Sequence, residues 1–217
     1  MSGGAGGEWV RFEERAQQLE GLRATNFHRS VTAALDRLLS AAPPGTALEV
    51  GCGPGALLMA WGKRGRPACG LDGARAMARL AHANSGCPVV LADAARLPFA
   101  SKSLALVAGM FHFQLMPDPR GALEESRRVL VPGGWIGLAV QHPQWTEEQA
   151  RRLAHETEES PEAEEWLAAC ARRSRRSTRY TEAELSSLLV SAGFDRVRIL
   201  AWPPGTVILA VAVNPAP

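Results

Sequence analysis

The sequence lacks most of what marks a specialised class. Its four cysteines in 217 residues, Cys52, Cys69, Cys87 and Cys170, are widely spaced with no CxxC pair, so neither a disulfide framework nor a metal site is indicated. They read as reduced thiols of a cytoplasmic protein. Charge is nearly balanced: 24 Lys and Arg against 22 Asp and Glu leave +2, too mild for a dedicated nucleic-acid or membrane-surface protein. No membrane span is available, because the longest apolar run, VILAVAV at 207–213, falls far short of about 20 residues. The opening MSGGAGGEW has no basic stretch followed by an apolar one, hence no secretory signal, and its glycines read as a disordered tail. Internal repeats are also absent.

What is present suits one domain carrying a small lid, with 46% hydrophobic and 21% charged residues. Apolar spacing predicts two leading helices, over 8–23 and 27–40, ended by the PPG at 43–45. Short apolar runs at 47–50, 68–71, 88–92, 104–109 and 135–140 then read as strands. Helices fit the gaps at 55–64, 74–84 and 119–130, the last ended by the PGG at 132–134, with a short helical turn near 93–102. This βαβ series predicts an α/β fold with a parallel sheet covered on both faces. A charged helical stretch at 144–178 interrupts it. A helix capped by Thr181 with Glu184 follows, then strands near 195–201 and 206–213 whose short link favours an antiparallel hairpin.

The chemistry-bearing stretch is LEVGCGPGALL at 48–58, a glycine-rich turn between the first strand and its helix. There backbone N–H groups and a helix N-terminus face a ligand, and Gly51, Gly53 and Gly55 let it approach without Cβ clashes. Two cofactors fit this turn. GCGPGA satisfies the dinucleotide pattern, and Asp72 lies 21 positions after Gly51, as the ribose acid of an NAD site would. Glu49 points elsewhere, since dinucleotide sites usually keep that strand apolar.

Residues 46–140 resemble the class I S-adenosylmethionine-dependent methyltransferases, specifically the small-molecule branch of ubiquinone/menaquinone-type enzymes (methyltransferase type 11). The resemblance rests on Glu49 ahead of Gly51, Asp72 in GLDGARAM, Asp93 in ADAARLPF and ALEESRRVLVPGGWIGLAV at 122–140. It implies a Rossmann-like seven-stranded, mostly parallel sheet in the order 3-2-1-4-5-7-6, the last strand antiparallel, with a helical lid. It also implies S-adenosylmethionine as cofactor and S-adenosylhomocysteine as product. On that resemblance Glu49 serves the cofactor's ammonium, Gly51, Cys52, Gly53 and Gly55 its amino-acid end, and Asp72 with Gly73 its ribose. Met77, Asp93 and Ala94 fall to the adenine, Gly109 and Met110 to the methionine portion. Glu125, Arg128 and the PGG turn read as structural, an i, i+3 ion pair and a tight turn.

The pattern is not met throughout. Where the family carries an Asp in the fourth strand and paired histidines before PD, this chain has Ala105, Gln114 and Leu115. An NPPY-type tetrad, associated with methylation of nucleic-acid bases or protein amides, is missing; AGMFHF stands there. A small-molecule acceptor is expected, with nucleic acid disfavoured but not excluded and no membrane partner, in a monomer or homodimer. His112, just past the fourth strand, is the candidate general base, against the alternative that it only packs between Phe111 and Phe113; His142 and Tyr180 are weaker candidates. Trp9, Phe12, Phe27, Phe111, Phe113, Trp145 and Trp166 supply candidates for an apolar acceptor pocket. The basic run at 172–179 reads as a solvated helix end balancing the acids at 156–165. The expected organisation is a helical cap over 1–45, a cofactor core over 46–141, a lid over 142–180 and completion of the core over 181–217. Competing functions are an NAD(P)-binding oxidoreductase and a catalytically silent cofactor-binding protein.

Overall fold

The computed structural model describes residues 12–174, 177–201 and 205–216. The glycine tail, Trp9 and part of the basic run therefore lie outside the described residues. The sheet has seven strands, β1 (Ala47–Val50), β2 (Ala68–Asp72), β3 (Val89–Leu91), β4 (Leu104–Met110), β5 (Leu130–Gln141), β6 (Asp195–Ala201) and β7 (Val207–Val213). Their order is β3-β2-β1-β4-β5-β7-β6. The first five run parallel, and β7 is antiparallel to both β5 and β6. This is the order implied by the methyltransferase resemblance and differs from the 3-2-1-4-5-6 order of dinucleotide-binding sheets.

Central strands are buried on both faces, which is why β4 (LALVAGM) and β7 (VILAVAV) read as continuous apolar runs rather than alternating ones. On one face lie α1 (Ala16–Arg23), α2 (Asn26–Leu38), α3 (Ala56–Lys63), α4 (Arg75–Ser85) and the inserted pair α6 (Glu147–Glu156) and α7 (Pro161–Ser174), around Val31, Leu35, Trp61 and Trp145. The other face carries α5 (Pro119–Val129) and α8 (Glu182–Ser191), packed through Leu123, Val129, Leu185 and Leu189. Among the described residues no helix is long and apolar enough to cross a membrane.

Local signals explain most boundaries. The Thr25 hydroxyl accepts the His28 N–H at 3.1 Å to open α2, and Thr181 with Glu184 forms a full capping box on α8. The first leading helix is interrupted at Arg15, before α1. The inserted helix pair is tied to the leading segment: Asn26 Nδ2 donates to Thr157 O at 2.9 Å, and the Phe27 N–H donates to Glu159 Oε1 at 2.8 Å.

One expectation holds and one needs correction. Residues 93–102 form turns without a regular helix, as the short turn expected there allows. They are held from α5, where Glu125 and Arg128 pair at 2.7 Å, Glu125 Oε2 accepts the Leu97 N–H, and Arg128 donates to the carbonyls of Leu97 and Phe99. The PGG at 132–134 does not separate helix from strand. β5 starts at Leu130 and runs through it, the register against β4 slipping between Leu104↔Leu130 and Leu106↔Trp135. Asn214 satisfies the irregular backbone: its main chain exchanges hydrogen bonds with Gly133 and Gly134 at 2.8 Å, and its side-chain amide donates to the carbonyls of Leu130 (3.0 Å) and Val131 (3.1 Å).

Candidate cofactor site

The chain reverses its progress across the sheet after β3, so the carboxyl ends of β1 and β4 flank a crevice of the kind where open α/β sheets bind ligands. The glycine turn enters it. Gly51, Gly53 and Gly55 have φ of +61°, +48° and +83°, a region that penalises any side chain. Among the described residues a Cβ on Gly53 would meet nothing within 4 Å, leaving open space over the turn, whereas one on Gly55 would press on the α4 backbone, 3.1 Å from Ala81 Cα. Cys52 is buried, its N–H donating to Leu71 O at 3.0 Å, which fastens the turn to β2; burial also pushes its thiol well up.

Two acids converge here. Glu49 is 2% exposed, and its Oε2 accepts the Leu58 N–H at 3.1 Å, so it anchors the first turn of α3 from beneath. Burial raises its pKa to about 8, with the Asp72 charge adding to the shift and the helix N–H groups opposing it. Asp72, the last residue of β2, accepts the Gly53 N–H on Oδ2 and the Ala74 N–H on Oδ1, both at 2.9 Å, and burial raises its pKa too. It is not the helix cap; Ala74 holds that position. Gly73 lies between them, and Met77 and Ala94 are buried. Asp93 accepts the Ala95 N–H of its own turn at 2.9 Å.

His112 occupies the slot between the two strands. A Cβ on Gly109 would fall 2.1 Å from His112 Cε1, and one on Gly51 would fall 2.5 Å from its Cβ. The imidazole therefore lies across the ends of β1 and β4, its Nδ1 buried without a hydrogen-bond partner among the described residues. Burial lowers its pKa to about 4, so the ring is neutral at physiological pH. It stands before the short 3₁₀ turn Phe113–Leu115 rather than in an α-helix. The preceding Phe111 has φ of +58°, a strained conformation for a bulky residue at the end of β4, directly after Met110.

The expected aromatic pocket is only partly assembled. Phe27 stacks on Trp145 with centroids 5.4 Å apart and on Phe111 at 6.4 Å, within the core on the α2 side of the sheet. Phe113 turns to the opposite face, against Tyr180 at 6.0 Å, and Trp166 packs over Gly21 of α1. His142 lies 3.6 Å from the Glu182 carboxylate, and the Tyr180 hydroxyl is buried with no hydrogen-bond partner among the described residues. Two features escape sequence reasoning. Gln114 and Gln141 form a buried pair, with two hydrogen bonds of 2.8 Å; the only signal was the departure from paired histidines at Gln114. Glu13 accepts the N–H groups of Arg75 and Ala76, and the signal for that was an alanine where α4 needs a cap.

Comparison with known proteins gives the same reading. A family model described as a methyltransferase domain matches residues 48–138. Demethylmenaquinone methyltransferase of Mycobacterium sp. (strain KMS) is 30% identical over 139 residues, covering 59% of this chain and 58% of that protein. The chain spans 42% to 58% of the length of the curated relatives it matches. A SAM-dependent methyltransferase of Thermotoga maritima superposes with a TM-score of 0.69 at 18% identity, over 95% of this chain and 99% of that one. Phosphoethanolamine N-methyltransferase 2 of Haemonchus contortus, solved with S-adenosyl-L-methionine, superposes at 0.70 with 13% identity, over 94% and 60%. Sheet order and matched domain agree: residues 48–138 are similar to a methyltransferase domain, and the chain has the fold of these solved structures.

Proposed function

We propose that this chain binds S-adenosylmethionine in the β1/β4 crevice and transfers its methyl group to a small-molecule acceptor. The observation that carries the reading is the convergence of Glu49 and Asp72 on a left-handed glycine turn with open space above Gly53. Those residues fit the group: an acid for an ammonium, an acid for ribose hydroxyls, and a backbone cradle without Cβ atoms between them.

When bound, the sulfonium supplies an activated methyl group with a good leaving group, so positioning supplies most of the acceleration, of a kind worth effective molarities of about 10⁵–10⁸ M. Glu49 would hold the ammonium, and Gly51, Cys52, Gly53 and Gly55 would line the amino-acid end. Asp72 and Gly73 would take the ribose, Met77, Asp93 and Ala94 would border the adenine, and Gly109 and Met110 would lie beside the methionine chain. His112, neutral in its slot between those strands, would be the side chain to accept a proton from a hydroxyl or ammonium acceptor. The stacked Phe27, Phe111 and Trp145 would help exclude water.

Calorimetry with S-adenosylhomocysteine and NADH tests the cofactor. Binding of the first alone is expected, with at least a tenfold loss in Asp72→Asn; tighter NADH binding would reverse the assignment. For His112, expected turnover with labelled cofactor across a panel of small acceptors falls in His112→Ala while S-adenosylhomocysteine still binds. Unchanged turnover would remove it from the chemistry.

A further inference from the structure

We propose that Glu13 is a positioning residue for this site: its carboxylate supplies the helix cap that Ala74 lacks and thereby straps residues 12–23 across the adenosine end of the cleft. The inference rests on the cofactor reading above.

Helix α4 begins directly after Asp72-Gly73-Ala74, the turn assigned to the ribose. Ala74 has the extended backbone of a cap residue but no side chain to offer the free N–H groups. Glu13, 62 positions before Arg75, takes that role by accepting from Arg75 and, at 2.8 Å, from Ala76. A carboxylate at a helix N-terminus is favoured by the helix dipole. Its charge also bears on Asp72, contributing to the rise in that group's pKa, which places the two carboxylates near one another.

Independent contacts carry the same segment along the cleft. Asn84, at the far end of α4, donates its amide at 3.0 Å both to Glu20 of α1 and to the Pro54 carbonyl within the glycine turn. Arg23 approaches Met59 of α3 at 3.4 Å. On its other side α1 meets the lid, with Gly21 flush against the Trp166 ring. Residues 12–23 thus lie between the cofactor elements and the lid, and Glu13 is their fastening at the adenosine end. A ligand leaving from that end must release the fastening first.

The test measures S-adenosylhomocysteine association and release by surface plasmon resonance, with thermal melting alongside. The variants are Glu13→Ala, Ala74→Ser, the double variant and, as control, Asp72→Asn. Loss of one cap corresponds to about five- to tenfold in an equilibrium, so Glu13→Ala is expected to release the ligand about five- to tenfold faster. In the double variant, the serine introduced by Ala74→Ser caps α4 locally and restores the melting temperature, while release stays fast because the strap is still untied. Wild-type release from Glu13→Ala, with binding lost in Asp72→Asn, overturns the strap and leaves the cofactor site standing. Wild-type release from the double variant also overturns it, since capping alone would then explain Glu13. Undiminished binding in Asp72→Asn refutes the site itself, and the strap with it.

Discussion

Glu49 is the residue whose replacement says most about this protein. In an unfolded chain its carboxyl ionises near 4.5, and in the folded protein near 8. Between those values the native state binds the proton that the unfolded state has lost, so stability is complete below about pH 4.5 and falls as pH rises through 8. A difference of about 3.5 units at about 1.4 kcal/mol each gives a contribution on the order of 4–5 kcal/mol across that window. Glu49→Gln keeps an acceptor for the Leu58 N–H and cannot ionise. Urea unfolding of both proteins, followed by circular dichroism at half-unit steps from pH 5 to 9, isolates this contribution, because other groups titrate alike in the two. The variant is expected to gain on the wild type as pH rises to about 8, and to lose affinity for S-adenosylhomocysteine relative to it most at the alkaline end, where the wild-type acid is ionised. A stability difference constant within about 1 kcal/mol over that range would refute the claim that burial keeps this acid protonated.

Other substitutions test neighbouring parts. Gly109→Ala, whose Cβ would fall 2.1 Å from the His112 ring, is expected to cost about 1–3 kcal/mol. Most of that returns in the His112→Ala background, and strict additivity in the double-mutant cycle would show that the ring does not fill the slot. Gly53→Ala should cost only about 1 kcal/mol of backbone strain, its Cβ meeting nothing within 4 Å, yet weaken S-adenosylhomocysteine binding more than tenfold by calorimetry. Asn214→Ala strands the carbonyls of Leu130 and Val131 and is expected to lower stability by about 1–3 kcal/mol in denaturant titration, with ligand affinity unchanged.

Much of the architecture was legible because central strands buried on both faces leave uninterrupted apolar runs, and glycine marks the turns between them. LALVAGM and VILAVAV announce β4 and β7 without help from their surroundings. Boundaries set by distant partners were not legible. Nothing local to Pro132-Gly133-Gly134 says that β5 runs through it, because its backbone is satisfied by Asn214 about eighty residues later. The site divides the same way. Glu49, Asp72 and the glycines are adjacent to strands whose ends define the crevice, so their positions followed from pattern. That His112 would lie across the slot depended on the left-handed turn at Phe111, which no propensity favours. Glu13 depended on an absence, the missing cap at Ala74, filled from another part of the chain.

The place of β7 has a consequence for how the protein is made. It is the final strand in chain order yet lies inside the sheet, paired through Trp135 to Gln141 of β5 on one side and with β6 on the other. During synthesis from the N-terminus, the open edge of β5 is complete some seventy residues before its partner emerges, exposing WIGLAVQ as an unpaired and strongly apolar template. At typical rates of about 5–20 residues per second that exposure lasts several seconds on the ribosome. Nascent-chain aggregation, rather than weakness of the finished fold, is therefore where slow translation or truncation ahead of residue 207 would first do damage.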